Sequence, residues 1–167
     1  IGLDRAGLVP FDGETHQGAF DLAYLSHIPN MTVLSPKNKW EFADMIRFAI
    51  KHDGPIALRY PRGTAYDGLK DSRTPIELGK SEVIYEESDI AIFSVGHMME
   101  EAYKVWEQLK EKGYHCSLIN SRFVKPMDEA VLNQMADTHK LFVTIEEGVQ
   151  TGGYGEKVTN YVSKEEL

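Results

Sequence analysis

Short apolar runs rich in β-branched residues alternate along this chain with longer stretches of helical hydrophobic period. This alternation is typical of an α/β fold, in which strands form a sheet and helices cover its faces. The runs predicted to be strands are residues 1–4, 31–35, 56–60, 82–85, 90–95, 116–121 and 141–145. The stretches predicted to be helices are residues 37–51, 98–112 and 128–137. The expected architecture is therefore α/β with mostly parallel sheets.

The predicted helices are amphipathic, and their apolar faces are most simply faces of the core. Residues 37–51 carry a broad apolar face that we expect to be buried: Phe42, Met45, Ile46, Ala49 and Ile50. Gly113 is well placed to end the second helix, and Asp128 to cap the third.

Charge and cysteine content narrow the function classes. The 167 residues have a net charge of −8, which argues against nucleic acid or an anionic membrane as the main partner. The only cysteine, Cys116, cannot form an intrachain disulfide, and its apolar surroundings predict a buried, reduced thiol. No apolar run has the length of a membrane span, and no signal-peptide pattern is present. A soluble, cytoplasmic protein is expected.

A domain boundary is predicted where the hydrophobic period disappears. Residues 63–79 are dominated by Gly, Pro, Asp, Ser and Lys, which is typical of a linker. Residues 1–62 then form the end of one α/β domain, and residues 80–167 most of a second. Because Ile1 opens within a predicted strand, the chain is expected to be a fragment of a longer polypeptide.

The polar loop at residues 4–18 is the first candidate site. Asp4 and Arg5 follow the first predicted strand, and the carboxyl ends of strands are where open α/β sheets bind ligands. Asp12 and His16 are four residues apart, so the carboxylate could orient the imidazole for proton transfer or for binding a substrate hydroxyl. The alternative is a surface Asp–His pair that only caps the helix beginning near Gly18.

Two further clusters follow strands. In "ALRYPRG", residues 57–63, Arg59 and Arg62 suggest a bidentate grip on phosphate or carboxylate, with ordinary ion pairs as the alternative. In "EEGVQTGGYGEKV", residues 146–158, the glycines could cradle an anion at a helix start, but a tight structural turn is favoured because no phosphate-binding fingerprint is present. No metal-ligand spacing occurs, so no metal is predicted to be bound. The histidines other than His16 have no acid at a useful spacing.

The strings "DRAG", "DGETHQGAFDLAYLSHIPNM", "RYPRG", "RFVKPMDE" and "TIEEG…GGYG" resemble, in order, the 1-deoxy-D-xylulose-5-phosphate synthases. "DG-x-TH" and "IPN" also occur in transketolase, and the pyruvate dehydrogenase β subunit is more distantly similar. The combination of "DRAG", "YPRG" and "GAFD" selects the synthases. The resemblance implies that residues 1–62 are the second half of a pyrimidine-binding domain. It also implies that residues 80–167 are a truncated transketolase C-terminal-like domain with a mostly parallel sheet.

The resemblance further implies a transferase that depends on thiamine diphosphate and Mg²⁺. Such an enzyme condenses pyruvate with D-glyceraldehyde 3-phosphate, releases carbon dioxide and supplies isoprenoid, thiamine and pyridoxal biosynthesis. By the match, Arg5 and Arg62 would hold the aldehyde phosphate. His16 and Asp12 would be catalytic, facing the thiazolium and the substrate hydroxyls, with His16 as a proton-transfer or orienting group. A homodimer is implied.

The resemblance also implies what the chain lacks. The family binds the diphosphate and Mg²⁺ through an N-terminal domain, and its cofactor-activating glutamate precedes the "DRAG" strand. The isolated chain is therefore expected to be inactive and to bind the cofactor weakly. The alternatives are another transketolase-like or ketoacid dehydrogenase-like enzyme, or a non-catalytic split subunit.

Overall fold

The computed structural model describes all 167 residues. In chain order the strands are β1 (Gly2–Leu3), β2 (Thr32–Leu34), β3 (Ile56–Arg59), β4 (Glu82–Tyr85), β5 (Asp89–Ser94), β6 (Cys116–Asn120), β7 (Phe123–Lys125) and β8 (His139–Ile145). The α-helices are α1 (Asp21–His27), α2 (Lys39–Lys51), α3 (Met99–Glu111), α4 (Glu129–Ala136) and α5 (Tyr154–Glu165). Single 3₁₀ turns occupy Glu14–His16 and Gly96–Met98.

The strands form two four-stranded sheets. The first has the order β1-β3-β2-β7; β1 and β2 run parallel to β3, and β7 is antiparallel to β2. The second has the order β4-β6-β5-β8; β6 and β8 run parallel to β5, and β4 is antiparallel to β6. Most pairings are therefore parallel, and the predicted fold class is confirmed.

The predicted strands and helices coincide with observed elements to within two residues at each end. β7, with 3 residues, was not predicted, and α1 and α5 were anticipated only by their starts, near Gly18 and after the glycine-rich segment. Residues 63–79 contain neither helix nor strand, as their composition indicates. No helix combines the length and the apolar character that crossing a membrane requires.

One apolar core joins the two sheets. Its largest cluster contains 15 buried residues, among them Val33 and Ala57 from the first sheet and Phe93 and Ile119 from the second. Cys116 is buried and free, as predicted, and burial raises the pKa of its thiol. Because both sheets contribute to one cluster, the packing of each half depends on the other.

The buried face of helix α2 differs from the face that its apolar residues predict. Met45 is fully buried, whereas Ile46 is 41% and Ile50 80% exposed. The buried side of the helix includes Glu41, which is only 2% exposed, and Phe48 packs against the core beside Met45. Burial of a charged side chain in place of an isoleucine requires strong partners for the charge.

Those partners form a buried charge cluster between the two halves of the chain. Lys37 Nζ lies 3.2 Å from Glu41 Oε1 and 2.6 Å from Glu82 Oε2. Arg122 Nε lies 2.6 Å from Glu41 Oε1, and Arg122 Nη2 lies 3.0 Å from Glu82 Oε1. Asn120 donates to both acids. The two bases balance the two acids, so the cluster is neutral while all four groups are ionised.

The cluster predicts a loss of stability in acid. Burial alone raises the pKa of Glu82, but the Lys37 hydrogen bond, the Thr74 amide and the charges of Lys37 and Arg122 outweigh it and lower the pKa to about 2 from 4.5. Because the folded pKa lies below the unfolded one, this stabilisation is present above pH 4.5 and is lost as the pH falls towards 2. The loss is about 3 kcal/mol.

Urea unfolding of wild type and Glu82→Gln between pH 7 and pH 2 measures this contribution. The stability of the variant relative to wild type should rise as the pH falls through that window. A constant difference across the range would show that Glu82 does not titrate with the lowered pKa.

Candidate functional site

The site is built where two parallel strands end. Leu3 of β1 lies opposite Arg59 of β3, so both strands deliver their following residues to the same edge of the first sheet. Arg5 lies two residues beyond Leu3, and Arg62 three beyond Arg59. Their convergence follows from the register of this one strand pair.

Arg5 and Arg62 meet at one carboxylate. Arg5 Nε donates to Asp12 Oδ2 at 2.7 Å, and Arg62 Nη1 donates to Asp12 Oδ1. Arg5 Nη1 also contacts Asp4 Oδ2 at 2.5 Å. The resemblance implies that Arg5 and Arg62 hold a substrate phosphate; in the structure both contact the chain's own Asp12, which is the ordinary ion pairing that the sequence left open as the alternative. Two guanidinium groups arranged around one pair of oxygens have the geometry that grips a carboxylate or a phosphate.

His16 lies in the same loop but does not pair with Asp12, and the prediction of that pairing was wrong. The Asp12 oxygens accept from the two arginines, whereas His16 Nδ1 lies 2.9 Å from the Thr15 hydroxyl. A carboxylate gains more from two permanently charged guanidinium groups than from an exposed imidazole. His16 is exposed, and with Arg5 it lines an open polar cleft of about 200 Å³.

Arg59 is a structural residue, and of the two alternatives left open by the sequence it forms the ordinary ion pair rather than an anion grip. Its side chain is fully buried, and Nε lies 3.3 Å from Asp21 Oδ2. Nη2 donates to the carbonyls of Gly18 at 3.1 Å and Glu147 at 2.6 Å. Burial lowers the pKa of Arg59 and raises that of Asp21, so the pair is strongly desolvated. The side chain of Arg59 points into the fold, as strand alternation requires of the last residue of β3 in this register.

The glycine-rich segment before α5 is a structural turn, as favoured from its sequence. Glu146 accepts the N–H groups of Tyr154 at 2.8 Å and Gly155 at 2.7 Å, so the first donors of the helix are already satisfied. Gly152 has a φ of +80°, and a Cβ there would lie 2.9 Å from the side chain of Ala23. The helix start therefore caps itself with a carboxylate of its own chain.

A histidine–carboxylate pair that the sequence did not predict lies beside the loop. His97 Nε2 lies 2.5 Å from Glu147 Oε2, and Glu147 Oε1 accepts the N–H of Leu8 at 3.0 Å. The pair is separated by 50 residues in the chain, so no local spacing could indicate it. Only the order of β5 and β8 in the second sheet brings these residues together.

Comparisons with known proteins agree with this architecture. Residues 1–66 match the model of the transketolase pyrimidine-binding domain, and residues 79–167 match that of the transketolase C-terminal domain. A split-gene transketolase, solved as an inactive β4 tetramer, superposes with a TM-score of 0.87 at 25% identity; the match covers 99% of this chain and 53% of that one. Transketolase from Campylobacter jejuni shares the fold, with a TM-score of 0.68 at 16% identity over 97% of this chain and 30% of that one.

Curated sequence relatives are 1-deoxy-D-xylulose-5-phosphate synthases. The enzyme of Lachnoclostridium phytofermentans is 51% identical over 162 residues, and that of Clostridium tetani is 46% identical over 162 residues. Each match covers 97% of this chain, which spans about a quarter (26%) of the length of these relatives. With a pyrimidine-binding segment followed by a C-terminal domain, and with these synthases as relatives, the chain belongs to the transketolase family.

Proposed function

We propose that this chain is part of a 1-deoxy-D-xylulose-5-phosphate synthase. The complete enzyme would condense pyruvate with D-glyceraldehyde 3-phosphate and release carbon dioxide. The similarity to curated synthases supports the family, and the arrangement at the end of the first sheet supports the substrate class. Within this proposal residues 1–62 complete a pyrimidine-binding domain, residues 63–79 link it, and residues 80–167 form most of a C-terminal domain.

The convergence of Arg5 and Arg62 is the observation that carries the proposal. Both guanidinium groups reach one Asp12 carboxylate from neighbouring strand ends. A phosphate monoester carries up to two negative charges and several acceptor oxygens, which is what such a pair binds best. The chain has a net charge of −8, and at this edge of the loop Asp4 and Asp12 neutralise the two arginines, so a phosphate would compete with Asp12 for them.

His16 and Asp12 would face the reacting end of the substrate. His16 is exposed in the polar cleft next to Arg5, where its ring can exchange a proton or orient a hydroxyl. Asp12 holds the two arginines in place and offers its carboxylate to substrate hydroxyls. These roles place the phosphate and the carbonyl of a short aldehyde on the same side of the loop.

The residues of this chain do not by themselves form a site for thiamine diphosphate and Mg²⁺. No group of three or more His, Cys, Asp or Glu residues is placed to hold a metal ion. The glycine-rich helix start is closed by Glu146, so it does not offer its N–H groups to a diphosphate. We propose that other parts of the enzyme hold the cofactor, which would supply the two-carbon transfer chemistry.

The exposed apolar residues at the tip of the loop indicate that another part of the enzyme covers them. Phe11 is fully exposed with a φ of 73°, and Leu8 is 70% exposed. A strained, exposed aromatic residue next to charged groups is costly in water and is typical of a surface that another part of the protein covers. We propose a cytoplasmic homodimer in which this loop is one wall of the active site, and expect the isolated chain to be inactive. The inactive β4 form of the split-gene transketolase is consistent with that expectation.

An assay of the complete protein tests the proposed function. Thiamine diphosphate, Mg²⁺ and pyruvate are supplied, and carbon dioxide release is followed with and without D-glyceraldehyde 3-phosphate. Release that needs the aldehyde and yields deoxyxylulose phosphate is the expected result. Activity only with ketose donors would assign the protein to transketolase, and transfer to a lipoyl group would assign it to the ketoacid dehydrogenases.

Arg62→Ala in the complete enzyme should raise the KM for D-glyceraldehyde 3-phosphate about 10- to 100-fold, the effect of losing a charged hydrogen bond to phosphate. The KM for pyruvate should stay unchanged. Arg62→Lys keeps the charge and should lie between wild type and Arg62→Ala, while Arg47→Ala, on the exposed side of α2, is the matched control. Equal effects on both substrates would contradict the assignment of Arg62 to the phosphate.

A further inference from the structure

The loop that carries the candidate site is closed at its base by a pair of glycines. Gly7 N donates to the Gly18 carbonyl at 3.2 Å, and Gly18 N donates to the Gly7 carbonyl at 2.8 Å. A Cβ at Gly18 would lie 2.2 Å from the backbone oxygen of Arg5, so the two strands of this neck approach too closely for a side chain. Residues 7 and 18 therefore enter and leave the loop side by side.

Inside the loop, Gln17 fixes the conformation. Its amide oxygen accepts Val9 N at 2.6 Å, and its amide nitrogen donates to the carbonyls of Val9 at 2.9 Å and Gly13 at 2.8 Å. Gln17 thus links the two sides of the loop, and the Gly7–Gly18 hydrogen bonds close its base. Its orientation then depends on what the neck is attached to.

Glu147, from the second half of the chain, holds the neck. Glu147 Oε1 accepts Leu8 N–H at 3.0 Å. Gly7 has a φ of +75°, and a Cβ there would lie 2.1 Å from Glu147 Oε2, so the glycine makes room for this carboxylate. The backbone oxygen of Glu147 accepts Arg59 Nη2 at 2.6 Å, and the same guanidinium nitrogen donates to the Gly18 carbonyl. Both sides of the neck thus connect to residue 147.

His97 in turn fixes the Glu147 side chain. Nε2 contacts Glu147 Oε2 at 2.5 Å, while Nδ1 is buried with no protein partner. A buried N–H without an acceptor is costly, so the favoured ring carries its proton on Nε2 and donates it to Glu147. One oxygen of the Glu147 carboxylate therefore accepts from His97, and the other accepts from the Leu8 N–H of the loop.

We propose that Glu147, oriented by His97, is a positioning residue that sets where the loop presents Asp12 between Arg5 and Arg62. Arg5 and Arg62 lie two and three residues beyond the ends of β1 and β3, outside the loop that Gly7 and Gly18 close, whereas Asp12 lies within that loop. A shift of the neck changes the position of the Asp12 carboxylate between the two guanidinium groups without unfolding either sheet. This inference rests on the proposed function for its effect on catalysis, because misplacement of binding groups by about 1 Å is enough to cost an enzyme much of its rate.

Hydrogen–deuterium exchange and steady-state kinetics on the complete enzyme test the proposal together. Glu147→Ala should speed exchange of the amides at residues 7–18 and raise the KM for D-glyceraldehyde 3-phosphate about tenfold, with the KM for pyruvate unchanged. His97→Ala should do the same to a smaller extent, and His97→Gln should recover part of the loss because a carboxamide can still donate to Glu147. Glu156→Ala is the matched control, since Glu156 accepts a backbone N–H at another glycine turn.

The positioning role and the proposed function are contradicted by different results. Unchanged exchange at residues 7–18 in Glu147→Ala, or an equal rise in both KM values, would overturn the positioning role. If the wild-type enzyme shows no aldehyde-dependent release of carbon dioxide, the proposed function fails, while the exchange data still decide whether Glu147 holds the loop.

Discussion

Replacing Arg122 by alanine should destabilise the protein by about 3–5 kcal/mol, the cost of breaking a buried ion pair from one side. Its side chain is 2% exposed, contacts Glu41 and Glu82, and donates to the carbonyls of Thr74 and Pro75. Without Arg122 only Lys37 would remain to balance the two buried carboxylates. The variant would keep a net negative charge in the core and lose the anchor of residues 74–75.

Urea unfolding followed by the fluorescence of Trp106 measures the free energy of unfolding. Arg47→Ala, which removes an exposed guanidinium 2.8 Å from Asp44, is the control and should change stability little. Adding Glu41→Gln to an Arg122→Met background removes one charge of each sign, so part of the loss should be recovered. A loss below about 1 kcal/mol for Arg122→Ala is what an exposed ion pair contributes, and it would contradict a buried charge cluster.

Arg59→Ala is the second change with a large expected effect, about 3 kcal/mol or more. The variant leaves the carbonyl of Glu147 without its Arg59 donor, removes one of two donors to the carbonyl of Gly18 and leaves Asp21 buried without a counter-charge. It also removes one of the hydrogen bonds that hold the neck of the polar loop, so anion binding at Arg5 should weaken with stability. Arg59→Lys should recover little, since an ammonium group cannot reproduce the fork that serves two carbonyls and a carboxylate.

The pH dependence of this loss identifies its cause. Burial already raises the pKa of Asp21 while Arg59 is present, and it should rise further without the arginine. A carboxyl group whose folded pKa exceeds its unfolded one destabilises the protein fully above the folded pKa, progressively less as the pH falls from there, and not at all below the unfolded pKa. The difference between wild type and Arg59→Ala should therefore be smaller at pH 5 than at pH 8. A difference that does not change with pH would mean that the lost carbonyl hydrogen bonds dominate.

Much of the fold follows from patterns within single segments. The short apolar runs at residues 56–60 and 116–121 contain β3 and β6, and the amphipathic stretch at 98–112 contains α3. Such patterns are readable because burial on one face imposes a period on the sequence. β7 has only 3 residues, too few to show a period, and it forms because β2 offers an edge for it to pair with.

The residues of the candidate site can be found from local sequence patterns, but their partners cannot. Arg5, Asp12, His16 and Arg62 are recognisable because each lies just after a strand or within a glycine-rich loop, where chemistry-bearing side chains are exposed. The chain could not reveal the partner of each charge. Asp12 binds two arginines rather than His16, and Arg59 is buried although Arg62, three residues later, is 52% exposed at its side chain.

The sequence by itself determined the α/β class, the order of the main elements and the loop that carries the candidate site. These depend on local periodicity and on turn-forming residues, which act over a few positions. Only the tertiary structure decided that Glu41 rather than Ile50 is buried on α2, that Glu82 and Arg122 join the two halves, and that His97 and Glu147 hold the loop. The pairing of charges depends on their distance in space and on their burial. Strand order determines these distances for residues that are far apart in the chain.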